Sequence, residues 1–227
     1  MRRIAFFDLD GTLLTVNSAA LWVRYERRLG RIGRRQSLKA VGYFAAYKLG
    51  VLDITSAYAE VARAVAGREE AALRSESRRW WDAEVVRSAA PGAREAIEAH
   101  REAGDRLVLL SSTSAYVAEC AVQHFGLDDA LATEFEVSDG RLTGRLVPPV
   151  CYGRGKVVKA ETFARAHGLS LDGASFYTDS ITDLPMLEHV DRPRVVRPDA
   201  RLRWEARRRG WRVLDWSGRT TALPEAV

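Results

Sequence analysis

Only two of the 227 residues are cysteine, Cys120 and Cys151, too few for a disulfide framework and without the spacing of a metal knuckle. A chain of this length buries a core large enough to fold without such staples. Long apolar runs are also missing. The longest, Ala40 to Tyr47, stops at Lys48, far short of the ~18 residues of a membrane span. Met1-Arg2-Arg3 has the charge of a signal segment, but only Ile4 to Phe7 follow before Asp8, and a secretory core needs ~7 apolar residues. The protein is therefore expected in the cytoplasm. Lysine is scarce as well: of 35 basic residues only those at 39, 48, 156 and 159 are lysine. The formal charge is +5, yet the arginines are scattered, and no zinc-finger spacing or aromatic RNA-binding motif accompanies them. A nucleic-acid partner is not expected. A mild attraction for small anions is.

What is present has the rhythm of an α/β protein. Arg3 to Phe7 is a buried strand broken by Asp-Leu-Asp-Gly-Thr. Four helices are then expected. Trp22, Tyr25 and Leu29 mark the first, Val41, Phe44, Ala45 and Lys48 the second, Tyr58, Val61, Ala62 and Val65 the third, and Glu69 to about Val86 the fourth. From Pro91 helices and strands alternate. A helix over 93–103 precedes a strand over 106–110 that breaks into Ser111-Ser112-Thr113-Ser114, and a second helix follows over 115–125. A hairpin over 133–147 turns at Asp139-Gly140. Next come a helix over 156–167, a strand over 174–178, a short helix over 184–189, a strand over 194–197, a helix over 201–209 and a last strand over 211–216. The pattern predicts a doubly wound parallel sheet with an inserted all-helical domain. The core would comprise 1–14 and 89–227, and the helical cap 15–88.

Ligands of such sheets bind beyond the carboxyl ends of the strands. Applied here, that rule gathers Asp8 and Asp10, Ser111, and Asp179 with Asp183 four residues on. Several carboxylates in one place repel one another unless a divalent cation holds them, and an all-oxygen set suits Mg2+. Two aspartates on one turn also provide a carboxylate nucleophile with a separate acid/base partner. Gly11 permits the turn, and Thr12 and nearby amides can donate to phosphate oxygens. Ser112 is a further phosphate-binding candidate beside Ser111. Lys156, one of the few lysines, opens a helix where its ammonium can neutralise a phosphate and the nucleophile.

In order and spacing, Phe-Phe-Asp8-Leu-Asp10-Gly-Thr-Leu, Leu-Leu-Ser111, Gly-Lys156 and Tyr-Thr-Asp179-Ser-Ile-Thr-Asp183-Leu-Pro resemble the four motifs of the haloacid dehalogenase-like phosphohydrolases, in the branch containing phosphoserine phosphatases. The resemblance covers essentially the whole chain, including the helical insertion and the hairpin. It implies a magnesium-dependent phosphomonoesterase acting on a small phosphate ester through an aspartyl-phosphate. Asp8 would be the nucleophile and Asp10 the acid and base. Asp8, Asp10 through its carbonyl, and Asp179 would bind the metal, with Asp183 supporting that shell or acting through water. Ser111 and Lys156 would hold the phosphoryl oxygens. Two positions depart from the pattern: Thr182 stands where Asn is frequent, and Asn17 where phosphoserine phosphatases carry an acidic residue. A neutral side chain at 17, where the cap leaves the core and faces the leaving group, cannot pair with an ammonium. A substrate other than phosphoserine is therefore expected. The alternatives are a metal-independent dehalogenase of the same fold and a non-catalytic phosphate-binding protein; Asp10 and the acidic pair at 179 and 183 argue against the first. His124 and His167 read as packed or edge residues, His100 and His189 as surface ones.

Overall fold

A computed structural model describes residues 3–33 and 54–216 of the chain. The expected helix through Val41 and Phe44 lies outside the described residues. Seven strands form one sheet: β1 (Ile4–Phe7), β2 (Arg106–Ser114), β3 (Asp129–Ser138), β4 (Arg141–Val147), β5 (Ser175–Thr178), β6 (Arg192–Val196) and β7 (Arg212–Leu214). Their order is β4-β3-β2-β1-β5-β6-β7, parallel throughout except for the antiparallel β3–β4 hairpin. The hairpin turns at Asp139 and Gly140, whose φ angles of 49° and 72° lie in the left-handed region that such tight turns use.

Residue alternation in β1 explains its central position. Ile4 and Phe6 join the apolar cluster on one face, with Val108, Phe176, Phe163 and Leu202. Ala5 and Phe7 join the cluster on the other, with Leu109, Ile97, Val117 and Tyr177. A four-residue strand with both faces apolar is stable only when covered on both sides. Helices α4 (Pro91–Glu102) and α5 (Ala115–Phe125) supply residues to one cluster; α6 (Arg154–Ala166), α7 (Leu184–Leu187) and α8 (Ala200–Arg209) supply the other. From β1 the chain adds strands first on one side and later on the other. The strand order therefore switches at β1, and a crevice opens above Phe7.

Three helices occupy the described part of the insertion: α1 (Ser18–Arg28), α2 (Ile54–Ala64) and α3 (Glu70–Trp80). The sequence predicts a continuous helix to about Val86. The chain does stay helical that far, but α3 passes at Trp80 into a wider, π-helical stretch over Trp81–Val85 and a tighter helical turn over Val86–Ser88, which carry Trp81 and Val85 into the cluster containing Phe7 and Leu109. Where the insertion leaves and rejoins the core, the two chains are hydrogen-bonded: Thr15 N donates to Ser88 O at 2.7 Å and Ala90 N to Leu13 O at 2.8 Å. The insertion also grips the hairpin. Gly67 N donates to Leu142 O, Leu142 N to Arg68 O and Glu70 N to Gly140 O, all within 2.9 Å. Glu76, buried on α3, is bonded by Arg31 and Arg68, so one carboxylate ties three segments of the insertion together. Among the described residues no helix is long and apolar enough to cross a membrane.

Candidate active site

The site is built on the turn after β1. Asp8 N donates to Tyr177 O at 2.9 Å, which aligns the end of β1 with β5. The chain then wraps into one wide turn over Leu9–Leu13, with Leu13 N reaching Asp8 O at 3.4 Å and Leu14 N reaching Leu9 O at 2.8 Å. Gly11 is required twice over. Its φ is 78°, and a Cβ there would lie 2.2 Å from Asp179 Oδ2. The absent side chain is what lets Asp179 approach the turn after Asp8.

Lys156 enters from the first turn of α6 and is 2% exposed. Its Nζ donates to Asp8 Oδ1 at 2.9 Å and to Asp183 Oδ2 at 2.8 Å. Thr178 Oγ1 donates to the same Asp183 oxygen at 2.6 Å. One oxygen of Asp183, a residue expected at the metal, is thus occupied in holding Lys156. Asp10 is held separately: Ser18 N donates to Oδ1 at 2.8 Å and Ser18 Oγ to Oδ2 at 3.0 Å. The two aspartates of the motif therefore face different partners, one an ammonium and the other a helix N-terminus.

Burial dominates the electrostatics. It pushes the Asp8 carboxyl up to about 6, against the pull of Lys156. It pushes Asp10 up to about 7, although the Ser18 donors oppose it. Asp179 rises to about 8, through burial first and then through the charges of Asp8, Asp183 and Asp10. Burial pulls Lys156 downward, but the charges of Asp183 and Asp8 outweigh it and hold the ammonium firmly protonated. A crowded acidic site with one cation is electrostatically short of positive charge. Among the described residues no three His, Cys, Asp or Glu side chains converge as a ready metal cage. A divalent cation beside Asp8 and Asp179 would need main-chain oxygen, water or substrate to complete its shell, which suits magnesium.

The remaining predicted residues fall around this centre. Ser111 is buried at the crevice end of β2, and its Oγ accepts from Thr113 N at 3.4 Å. β2 runs on to Ser114 rather than stopping at Leu110, and Ser114 caps α5. Ser112 offers its carbonyl to Thr133 Oγ1 at 2.9 Å and to Tyr58 Oη. Thr12 is fully buried, and its Oγ1 has no hydrogen-bond partner. Asn17, expected to face the leaving group, has another task. It stands at the start of α1, and its Oδ1 accepts from Ala20 N at 2.9 Å as the helix N-cap.

Three contributors escaped the sequence reading. Ser18 grips Asp10 from the position beside the one singled out. Tyr58, assigned to the helical bundle, reaches from α2 to the Ser112 carbonyl; burial raises its phenol, the bond to Ser112 opposes this, and the charge of Asp10 adds to the rise. Arg197, just after β6, reaches back to the turn after β1 with Nη2 donating to Gly11 O at 2.8 Å, Thr12 O at 3.2 Å and Leu14 O at 3.1 Å. A lone arginine before a proline gives no sign of this in sequence. His100 is also no surface residue. It bridges Asp105 (2.7 Å) and the Tyr177 hydroxyl (2.9 Å) beneath the site, where Tyr177 stacks on Phe7 at 4.9 Å.

Comparison with known proteins fits this geometry. A family model described as haloacid dehalogenase-like hydrolase matches residues 5–188. The chain is 31% identical over 222 residues to a histidinol-phosphatase of Neisseria meningitidis serogroup C, covering 95% of this chain and 100% of that one. It is 32% identical over 221 residues to a phosphoserine phosphatase of Mycobacterium tuberculosis, covering 93% of this chain and 70% of that one. A solved structure of a protein of unknown function from Bordetella pertussis Tohama I superposes with a TM-score of 0.86 at 31% identity, covering 95% and 99% of the two chains.

Proposed function

The chain belongs to the haloacid dehalogenase-like hydrolases, and from that premise we propose that it is a magnesium-dependent phosphomonoesterase of small metabolites acting through an aspartyl-phosphate. One observation carries the reading. Asp8 is bonded to a buried ammonium, while Asp10, two residues on, is oriented independently by Ser18. Nucleophile and acid/base roles need this separation of partners.

In this reading Asp8 forms a bond to phosphorus as the bond from phosphorus to the leaving oxygen breaks. Asp10, whose carboxyl burial lifts to about 7, gives its proton to that oxygen. Asp10 then takes a proton from water as the water oxygen bonds to phosphorus and the bond to Asp8 breaks, which restores the enzyme. Lys156 holds a phosphoryl oxygen and the Asp8 charge, with Asp183 and Thr178 fixing its ammonium. Ser111, with Ser112 and Thr12 nearby, supplies further contacts to the phosphate. Asp8, Asp179 and the Asp10 carbonyl, with Asp183 supporting, would hold magnesium, which would supply charge neutralisation between nucleophile and substrate.

Residues 15–88 serve as the cap over the core of 1–14 and 89–227, and the Tyr58 contact to Ser112 supports this assignment. The names of the relatives favour a small phosphate ester as substrate. Position 17 brings no carboxylate to pair with an ammonium, and Asn17 itself is taken up in capping α1, so phosphoserine is not the preferred one. A cytoplasmic setting agrees with two buried, free cysteines. The test is phosphate release from a panel of amino-acid, sugar, polyol and lipid phosphates, with histidinol phosphate and phosphoserine included, in Mg2+ and in EDTA. Metal-dependent release from one or a few members supports the reading. Undiminished turnover in EDTA, or no release from any member, overturns it.

A further inference from the structure

We propose that Arg197 is a positioning residue for the nucleophile, acting through the peptide units that follow Asp8. The inference rests on the phosphatase reading for its kinetic consequence, though not for its structural one. Three carbonyls of the turn, those of Gly11, Thr12 and Leu14, point to a single guanidinium nitrogen from a residue more than 180 positions later in the chain. Carbonyl dipoles converging on one point repel one another, and a cation at that point removes the penalty. The grip reaches Asp8 along a defined path. The Thr12 carbonyl belongs to the same planar peptide unit as Leu13 N–H, which points the opposite way and donates to Asp8 O at 3.4 Å. Arg197 at one end of that unit thus sets the hydrogen bond at its other end, on the main-chain carbonyl of Asp8, and through it the backbone that carries the carboxylate.

The arrangement carries visible costs. Arg197 has a φ of 42°, in the left-handed region that a side chain disfavours, and its Nε is buried without a partner. Strain of this kind persists where surrounding structure enforces it, most often at functional sites. The neighbouring residues show what enforces it. Arg197 N donates to Leu214 O at 3.1 Å, Asp199 N to Asp179 O at 2.9 Å, and Ile181 N to Asp199 Oδ2 at 2.9 Å. The segment leaving β6 therefore touches both halves of the acidic site, through Arg197 on one side and Asp199 on the other.

Glycine is the informative substitution, because it accepts the positive φ and removes only the side chain. Arg197→Gly, Arg197→Lys and Arg197→Gln would be compared on an aryl phosphate in Mg2+, with amide hydrogen exchange followed by mass spectrometry. For Arg197→Gly we expect kcat to fall about 10- to 100-fold, the scale of a small misplacement of a reacting group, with little change in KM. Exchange should accelerate selectively in peptides covering 8–14. Methylguanidinium, at concentrations that leave the wild type folded, should restore part of both, whereas methylammonium at equal ionic strength should restore less. Lys should retain more activity than Gln, because the three carbonyls favour a full positive charge. Wild-type kcat and exchange in Arg197→Gly would overturn the proposal. So would a loss of kcat with unchanged exchange over 8–14, or accelerated exchange spread over the whole sheet. If the wild type releases no phosphate, the functional reading fails, and the exchange data alone decide whether the clamp exists.

Discussion

Removing a charge from the acidic site should make the metal-free protein more stable. Asp179 sits against Gly11, with its carboxyl raised from 3.8 to about 8 by burial and by three neighbouring aspartates. A group raised in the folded state holds a proton that the unfolded chain releases. Its favourable contribution is present in full below 3.8 and is lost as pH climbs to about 8. One pKa unit corresponds to about 1.36 kcal/mol, so the ceiling on this loss is roughly 5–6 kcal/mol. Water entry and side-chain adjustment reduce it, and about 2 kcal/mol is a working expectation, or ~4–8 °C in Tm for a chain of this size. Asp179→Asn keeps the shape and removes the charge. In EDTA at pH 8 the variant should therefore melt higher than the wild type by several degrees, and the gap should close toward pH 4. Magnesium should reverse the order at pH 8, because it stabilises only the protein that binds it. The raised groups also predict a larger magnesium-induced rise in Tm at pH 8 than at pH 5.5, since protons and cation compete for the same oxygens. Asp105 and Glu76 do not confuse the comparison. In both, burial pushes upward but is outweighed, by His100 and Arg3 in one case and by Arg31 and Arg68 in the other, so their carboxyls lie below the usual range. Their contribution is lost only as pH falls through that lower range, and it is flat between pH 5 and 8. Melting curves across pH, with and without metal, are sufficient. A metal-free Asp179→Asn protein less stable than wild type at pH 8 would refute the electrostatic account.

Asp8→Asn should abolish turnover without disturbing the fold, as read by phosphate release and circular dichroism. Asp10→Asn should cost about 10²–10⁴-fold on alkyl phosphates and markedly less on aryl phosphates, whose leaving groups need little protonation; an equal loss on both would count against the acid role. Gly11→Ala should cripple activity, because the added methyl meets Asp179 and the backbone needs a positive φ. Asn17→Ala should lower stability by about 1 kcal/mol through loss of the cap, measurable by urea denaturation, whereas Asn17→Ser should retain most of it.

The parts of this protein legible in sequence were those governed by short-range pattern. Two-fold alternation and apolar runs located the strands, Asp139-Gly140 marked the hairpin, and the ends of β1, β2 and β5 carried Asp8, Ser111 and Asp179 to one crevice. What escaped was set by partners distant in sequence. Nothing near His100 announces Tyr177, and nothing near Arg197 announces the turn at Gly11–Leu14. Asn17 shows a subtler limit. Its position relative to Asp10 pointed toward the substrate, but the local need of a helix start for an acceptor claimed its oxygen, and the neighbouring Ser18 took the contact with Asp10. The wider winding of the helix after Trp80 was hidden for a similar reason, since it accompanies the tertiary burial of Trp81 and Val85.

The paired entry and exit of the helical insertion bear on how far this scaffold can be re-engineered. Thr15 and Ser88 are hydrogen-bonded neighbours, so a foreign segment could be spliced between them without stretching the core. A cassette cut at those points would nevertheless leave damage. Trp80, Trp81 and Val85 fill the same apolar cluster as Phe7 and Leu109, and the tip of the hairpin would lose its backbone partners at Gly67, Arg68 and Glu70. The exchangeable unit is therefore smaller than the loop that topology outlines. A transplant that keeps residues 67–70 and 80–88 preserves both seams, and one that discards them opens the cluster around Phe7 and Leu109 and leaves the hairpin tip unpaired.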